Sequence, residues 1–441
     1  MSPDQIKAAF FAAVEATAAN IDSFAAAPGK DFTRNRKLPP EKLIPFLVAE
    51  GSASTKNEML DFFGLGPNGP TDSAFNQQRA KLHPDALKDV LDRFNASLEQ
   101  VSPPPSYRYL AADGSTATFF STPKYASPEY YVSEGHSARG FYSIHINALY
   151  DLDQNIYPDA LLQPVHNKDE FSAFCELVDR RPVLPNTKDV FIGDRGYCSY
   201  NNMAHVTEKR QYFLFRTKDI NSKGLVQGFS LPKTGSFDET VHVTLTRSNS
   251  SNIKVVDSYR RFIGKKVSFD YIEYGSLDTY ELSFRVVRFP LDSGDYECLV
   301  TNLPIDEFPL KSIKKLYFRR WGIETSFRLL KYTIGLSNFH SYKPDQIQQE
   351  IWGRLIMYNI TESLVNLTVI SNEGKKYAYK VNFSVAVHVC RAFLRPNSNQ
   401  SPADVLSRLQ RELVPIRDER KYKSLQTAHF RKPRYFLYRA A

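Results

Sequence analysis

The sequence predicts an α/β protein flanked by helical regions, and three observations predict it. Between Tyr107 and Lys218, short runs rich in β-branched and aromatic residues alternate with two helical patterns. A long β-patterned stretch then intervenes before a strongly basic helical segment, "LYFRRWGIETSFRLLK". The two ends of the chain, residues 1–104 and 346–441, read as helical, the first with capping residues at its helix starts.

In residues 1–104, Ser2 before Pro3 is an N-cap followed by a first-turn proline. A second helical run follows Pro39 and Pro40, "TKNEMLDFFGLG" ends on glycine, and "TDSAFNQQRAKLHPDALKDVLDRFNASL" has Thr71 or Asp72 as its cap. Its mixture of basic and apolar positions suits a helical DNA-binding domain, and equally an ordinary bundle. The proline-rich "VSPPPSYRYL" marks a boundary. Beyond it come three strand patterns, "YRYLAADGST", "GFYSIHINALYDL" and "YPDALLQP", then a helix in "NKDEFSAFCELVDRR" capped by Asn167. A buried-type strand, "DVFIGDRGY", ends in Asp194 and is followed by a helix in "NNMAHVTEKR" and a fifth strand, "YFLFRTK".

Three strands, helix, strand, helix, strand is the connectivity of a ribonuclease-H-like core. A helix is due next in that fold, but "ETVHVTLTRS", "SNIKVVDSYRR", "KKVSFDYIEY", "YELSFRVVRF" and "ECLVTNLP" arrive instead. They read as an all-β domain inserted at residues 219–305, dividing the catalytic core into 105–218 and a final helix within 306–345. The C-terminal region, 346–441, is helical and apolar on one face, which suits packing or self-association. It ends in a tail from Arg411 with nine Lys/Arg against three acids, interleaved with Tyr and Phe.

Composition narrows the function classes. At 441 residues and 42% hydrophobic, the chain can build a substantial core. The net charge of +9 favours a polyanionic partner. The four cysteines show no CxxC and no Cys/His pairing at zinc-ligand spacing, so neither a disulfide framework nor a structural zinc is expected, and a reducing cytoplasm is. The start lacks a basic segment leading into an apolar run, and no later run approaches the ~18 apolar residues of a membrane span. Neither secretion nor a membrane is expected.

At ~100° per residue, Tyr317, Arg320, Glu324 and Lys331 fall within an arc of about 60°, beside an apolar stripe of Leu316, Ile323, Phe327 and Leu330. Taken alone, this is a surface helix stitched by an Arg320–Glu324 pair. Two more acids change the weighing. Asp113 and Asp194 each close an apolar strand, and in the expected topology those strands are neighbours. Three convergent carboxylates without His or Cys repel one another, which makes a poor structural motif and a good hard-cation site. Asp151, Asp153 and Asp159 fit no calcium loop and read as a solvated turn, and Cys198 reads as a packed residue. Trp321 reads as packing.

The spacing Tyr317-x2-Arg320-x3-Glu324-x6-Lys331, with "DGS" at Asp113 and "DRGY" at Asp194, resembles the signature of bacterial insertion-sequence DDE transposases; "SAFNQQRAKL" and "LVTNLP" are similar to that family as well. The resemblance implies that Asp113, Asp194 and Glu324 form a triad binding two Mg²⁺ ions, with Mn²⁺ as substitute. It implies that Tyr317, Arg320 and Lys331, together with Arg216, grip the element end. The implied activity is cut-and-paste transposition through a DNA hairpin, acting on the double-stranded DNA of terminal inverted repeats and target. A homodimer working at the nucleoid of a bacterial cytoplasm is implied too. The other readings are an inactive DNA-binding descendant and a nuclease without strand transfer. The chain departs from the family in having no tryptophan within the insertion; Phe269, Tyr271 or Tyr274 would stack on a flipped base instead.

Overall fold

The computed structural model describes residues 1–34, 36–66, 69–133, 140–248, 260–396 and 400–416. The basic tail therefore lies outside the described residues from position 417 on, as does most of "SNIKVVDSYRR".

The N-terminal region folds into α1 (Pro3–Ala19), α2 (Pro40–Ala49), α3 (Thr55–Phe63), α4 (Asp72–Arg79) and α5 (Asp85–Val101). Ser2 caps α1 in a reciprocal box with Gln5, Thr71 caps α4, and α3 ends at Gly64, whose positive φ of +81° suits glycine. There follow β1 (Tyr107–Phe119), β2 (Tyr131–Val132), β3 (Phe141–Asp151), β4 (Ile156–Pro164), α6 (Glu170–Asp179), β5 (Lys188–Gly193), α7 (Tyr200–Glu208) and β6 (Tyr212–Thr217). The cap of α6 is Asp169, not Asn167. The Asp169 side chain accepts from the amides of Phe171 and Ser172, and Asn167 sits one short turn too early to reach them.

The chain continues through β7 (Phe237–Thr246), β8 (Arg260–Phe262), β9 (Thr279–Pro290) and β10 (Tyr296–Thr301). Then come α8 (Leu310–Arg319), α9 (Trp321–Leu329), a π-helical turn (Leu330–Ile334), α10 (Pro344–Asn366), β11 (Tyr379–Val381), α11 (Phe383–Leu394), α12 (Pro402–Arg411) and β12 (Leu413–Pro415).

Strand order decides the architecture. β4 pairs with β3 and β3 with β1, both antiparallel, whereas β5 lies parallel to β1 and β6 parallel to β5. Numbered along the core, that is order 3-2-1-4-5, the ribonuclease-H-like sheet. The β-patterned residues that follow extend this sheet: β10 pairs with β6, β9 with β10, β7 with β9 and β8 with β7. An edge strand such as β6 would expose a row of unpaired amides and carbonyls, and β10 covers it. "KKVSFDYIEY" is not a strand. Its alternating apolar residues mimic one, but its backbone turns, and Phe269 and Ile272 are plugged into the core instead.

Side-chain alternation splits the core into two layers. Ala111, Ile146, Ile192 and Leu214 face one side and pack with α1, α2, α5 and α8 to α11, whereas Leu110, Ala112, Phe191 and Phe213 face the other and pack with α6 and α7. α10 is buried around almost its whole circumference between the N-terminal helices and the sheet, so packing uses its apolar surface and leaves little of it for self-association. Gly353 permits this, because a Cβ there would stand 2.7 Å from the Leu47 carbonyl oxygen and 3.4 Å from Val48 Cα, both backbone atoms of α2. Gly353→Ala is expected to lower the melting temperature. Helix propensity favours Ala by ~1 kcal/mol, but forcing backbones apart costs ~1–3 kcal/mol; an unchanged or raised melting temperature would contradict this close approach.

Candidate active site

Strand register brings the two aspartates together. The parallel β1–β5 ladder ends at the pair Ala112↔Gly193, so Asp113 and Asp194 are the next residues on adjacent strands. The carboxyl end of parallel strands is where α/β sheets open a crevice. Asp113 does not close its strand, as the sequence suggested. It stands one residue past the last rung of the ladder to β5; on the other side β1 runs on to Phe119, paired with β3, with Asp113 opposite Ala148. Alternation places Asp113 on the face of Ala111, the side covered by α9. Asp194 stays extended (φ −77°, ψ −169°), keeps the parity of Ile192 and accepts from the Gly196 amide at 2.7 Å.

The late helix is not one regular rod. At Arg320 it tightens, with the Arg320 amide bonded to the Tyr317 carbonyl and the Ile323 amide to the Arg320 carbonyl, both three residues back; at Leu330 it widens into the π turn. α9 is held to the sheet by Tyr157, whose hydroxyl meets Ser326 Oγ at 2.7 Å, and by Gly322 lying against Leu152. Tyr157 was not legible as a site-supporting residue: it sits in a run that reads as plain strand.

Electrostatics shows what converges. Burial pushes the Asp113 carboxyl up to about 6; the Gly114 amide and the Arg320 charge oppose this, while the Asp194 and Glu324 carboxylates add to it. Lys331, in the π turn that follows α9, is pushed down by its burial and partly restored by Asp113. Tyr317 is buried and pushed up to about 12, with Arg320, Glu297 and Arg216 as its charged neighbours. The three acids, Tyr317, Arg320 and Lys331 thus share one neighbourhood, and Arg216 borders it through Tyr317.

Two pairings qualify that neighbourhood. Arg320 is itself buried and donates to Glu324 Oε1 at 3.0 Å, so the helix stitch and the convergence are both real. Arg216 is paired with Glu297 at 2.5 Å, a partner on β10 that the sequence did not single out. Tyr197, buried under Asp113 and Asp194, is another; Gly193 must be glycine because a Cβ there would meet Tyr197 Cβ at 2.7 Å.

The described groups whose three ligand atoms all lie within 4.8 Å are Cys175, His205 and Asp270, and Glu50, His340 and Glu350. The Asp113, Asp194 and Glu324 carboxylates are not among those groups. Their donor set, carboxylate only and mutually repelling, is nonetheless the chemistry of a hard divalent cation.

Several expectations about aromatic and basic residues change. Trp321 is 56% exposed beside Arg320, so it does not pack into the core. Phe269 is a core residue and unavailable for stacking; Tyr271 lies against His205, and Tyr274 is exposed beneath Arg247. Arg79, in "SAFNQQRAKL", is 1% exposed and bonded to Gln346, Gln349 and Glu350 of α10. It ties the N-terminal helices to the core and is out of reach of DNA.

The transposase for insertion sequence element IS231E of Bacillus thuringiensis subsp. finitimus is 23% identical over 262 residues, covering 54% of this chain and 53% of that one. The IS231F transposase of subspecies israelensis is 22% identical over 321 residues, with 66% and 65% covered. The IS4 transposase InsG of Escherichia coli K12 is 40% identical over 55 residues, 12% of each chain. The chain thus spans between half and two thirds of the length of the first two relatives. A piggyBac transposase synaptic complex with hairpin DNA aligns over 96% of this chain and 88% of its own at 10% identity, with a TM-score of 0.45. No helix among the described residues is long and apolar enough to cross a membrane. Residues 104–360, over half of the chain, match the transposase DDE domain, and the chain belongs to that family of bacterial insertion-sequence transposases.

Proposed function

We propose that this chain excises and integrates an insertion element at its terminal inverted repeats, with Asp113, Asp194 and Glu324 as the catalytic and metal-binding triad. The observation that carries the reading is the Ala112↔Gly193 register, which seats two aspartates side by side where Glu324 crowds them from α9. A bound divalent ion, two in the two-metal scheme, would activate the attacking oxygen and neutralise the leaving one. Water attacks a phosphodiester phosphorus at the element end, and the 3′ oxygen leaves and takes up a proton. The freed 3′-hydroxyl attacks the opposite strand, exchanging one phosphodiester for another and closing a hairpin. Water reopens the hairpin, and the 3′ ends attack target DNA.

Around that chemistry, Lys331 and Arg320 hold the phosphates. Arg320, which donates to Glu324 Oε1, would have to share that carboxylate with a bound ion. Tyr317 packs beneath Arg320, and Arg216, anchored by Glu297, lies at the margin of the grip. The exposed Trp321 ring offers a π-face for an unstacked base near the scissile phosphate, a role that the insertion's buried Phe269 does not offer. Two copies synapse, one for each element end. Residues 1–104 form the terminal-repeat-binding region, 105–218 and 306–345 the core, 219–305 the insertion and 346–441 the C-terminal support.

The test is a labelled terminal-repeat duplex incubated with protein and Mg²⁺. Cleavage followed by joining of the product to a second duplex is expected. Cleavage without joining would assign a nuclease, and binding without cleavage an inactive descendant. The rate should also depend on pH. Asp113 must be ionised to hold a cation and titrates near 6, so at limiting Mg²⁺ cleavage is expected to rise as pH climbs through about 6. Saturating Mg²⁺ favours the ionised form and should move the rise to lower pH; a rise that ignores Mg²⁺ concentration would remove Asp113 from the site.

A further inference from the structure

On the opposite face of the sheet from Glu324, Cys175 of α6, His205 of α7 and Asp270 of the turning segment 265–274 meet, with one ligand atom of each lying within 4.8 Å of the other two. We propose that these three residues bind a borderline transition-metal ion of the Zn²⁺ class, distinct from the hard-cation triad, and so clamp the inserted segment to the core. The site is 30 and 65 residues apart along the chain, which is why sequence spacing gave no sign of it.

Hydrogen-bond counting leaves room for a cation here. His205 Nδ1 faces Asp179 at 2.9 Å and Nε2 faces Asp270 Oδ2 at 2.8 Å. A neutral imidazole carries one N–H, so once Nδ1 donates to Asp179, the Nε2 lone pair and an Asp270 oxygen confront each other. A second ring proton resolves this, and so does a metal ion seated between them; the thiol as third neighbour favours a metal with affinity for sulfur. The Asp179 contact is the arrangement that fixes the ring of a metal-bound histidine and presents its other nitrogen.

Tetrahedral coordination at bond lengths near 2.0–2.3 Å puts ligand atoms about 3.3–3.7 Å apart, so closure needs shifts of about 1 Å or less. The Nε2–Oδ2 contact must open slightly. Asn201 Nδ2, now 2.8 Å from Asp270 Oδ2 and 3.6 Å from Cys175 Sγ, must yield its place, and the thiol must release its proton and its bond to Asn202 Oδ1. Asp179 and Asp270 have side chains 49% and 57% exposed over a buried Cys175, which leaves the ion a way in from solvent.

Full-length protein, reduced and stripped of metal, is titrated with Co²⁺. A thiolate-to-cobalt charge-transfer band saturating at one Co²⁺ per chain and abolished by Zn²⁺ is expected; carboxylate sites cannot produce such a band, so the triad does not interfere. Cys175→Ser should remove the band. Asp179→Asn should leave the band and weaken Co²⁺ affinity by ~10–100-fold. No band from folded protein, or a band that persists in Cys175→Ser and so arises from Cys198, Cys298 or Cys390, overturns the proposal. If Cys175→Ser does not fold, the exposed sites decide: unchanged Co²⁺ affinity in both Asp179→Asn and Asp270→Asn leaves only a protonated histidine bridging two carboxylates.

Discussion

Conversion of Asp113 or Asp194 to Asn, or of Glu324 to Gln, is expected to abolish cleavage of a terminal-repeat duplex while leaving binding of that duplex intact. The amides keep size and accepting oxygens, so Asp113 can still receive the Gly114 amide and Asp194 the Gly196 amide. What is lost is negative charge, and with it a metal ligand. Each ligand supports several kcal/mol of transition-state stabilisation, so each variant should fall by about a thousandfold or more. Because the three act as a unit, a double variant should be hardly worse than a single one. Cleavage within tenfold of the parent in any of the three would remove that residue from the triad.

Glu350→Gln is expected to destabilise the fold by ~3–5 kcal/mol, a large part of a typical 5–15 kcal/mol total. Glu350 is 1% exposed and accepts from Arg79 at 2.9 Å, Arg354 at 3.0 Å and both the amide and ring of His340. Removing its charge strands two guanidinium groups in the interior, at the joint between α4 and α10. Burial alone would depress His340, but the Glu50, Glu350 and Glu58 carboxylates outweigh it and raise the ring to about 9. A raised histidine contributes stability that is full below its unfolded value of about 6.5 and lost as pH rises through about 9. Denaturant melts should therefore show the parent weakening across that window and Glu350→Gln weakening less. A loss under ~1 kcal/mol would mean that the cluster is solvated rather than buried.

Much of the core was legible because its signals are local. The order and type of the main strands and helices from Tyr107 to Thr217 survive, although the cap of α6 and the end of β1 shift, since alternation and apolar runs act within a few positions. The basic helix was legible as a face, yet its tightened turn at Arg320 and its π turn at Leu330 were not, because neither leaves a mark in polarity. "KKVSFDYIEY" misled for a related reason: alternating apolar residues fit a strand and also a turning segment whose side chains fill a core. Arg79 and Trp321 show the same limit from the other side. Both are large residues beside basic or apolar neighbours, and only packing told that the arginine is interior and the tryptophan exposed.

The sequence by itself determined the identities and order of the chemistry: two acids each following an apolar run, a third on a basic helix, and the strand–helix succession that makes the first two neighbours. Only the tertiary structure decided that β5 stops one residue short of Asp194 beside Ala112, that the inserted strands prolong the sheet at β6, that Glu324 already holds Arg320, and that Cys175, His205 and Asp270 share a site. The physical reason is range. Propensity and periodicity are written over a few residues, whereas register, edge pairing and the meeting of distant side chains depend on contacts across the whole chain, whose energies no local pattern records.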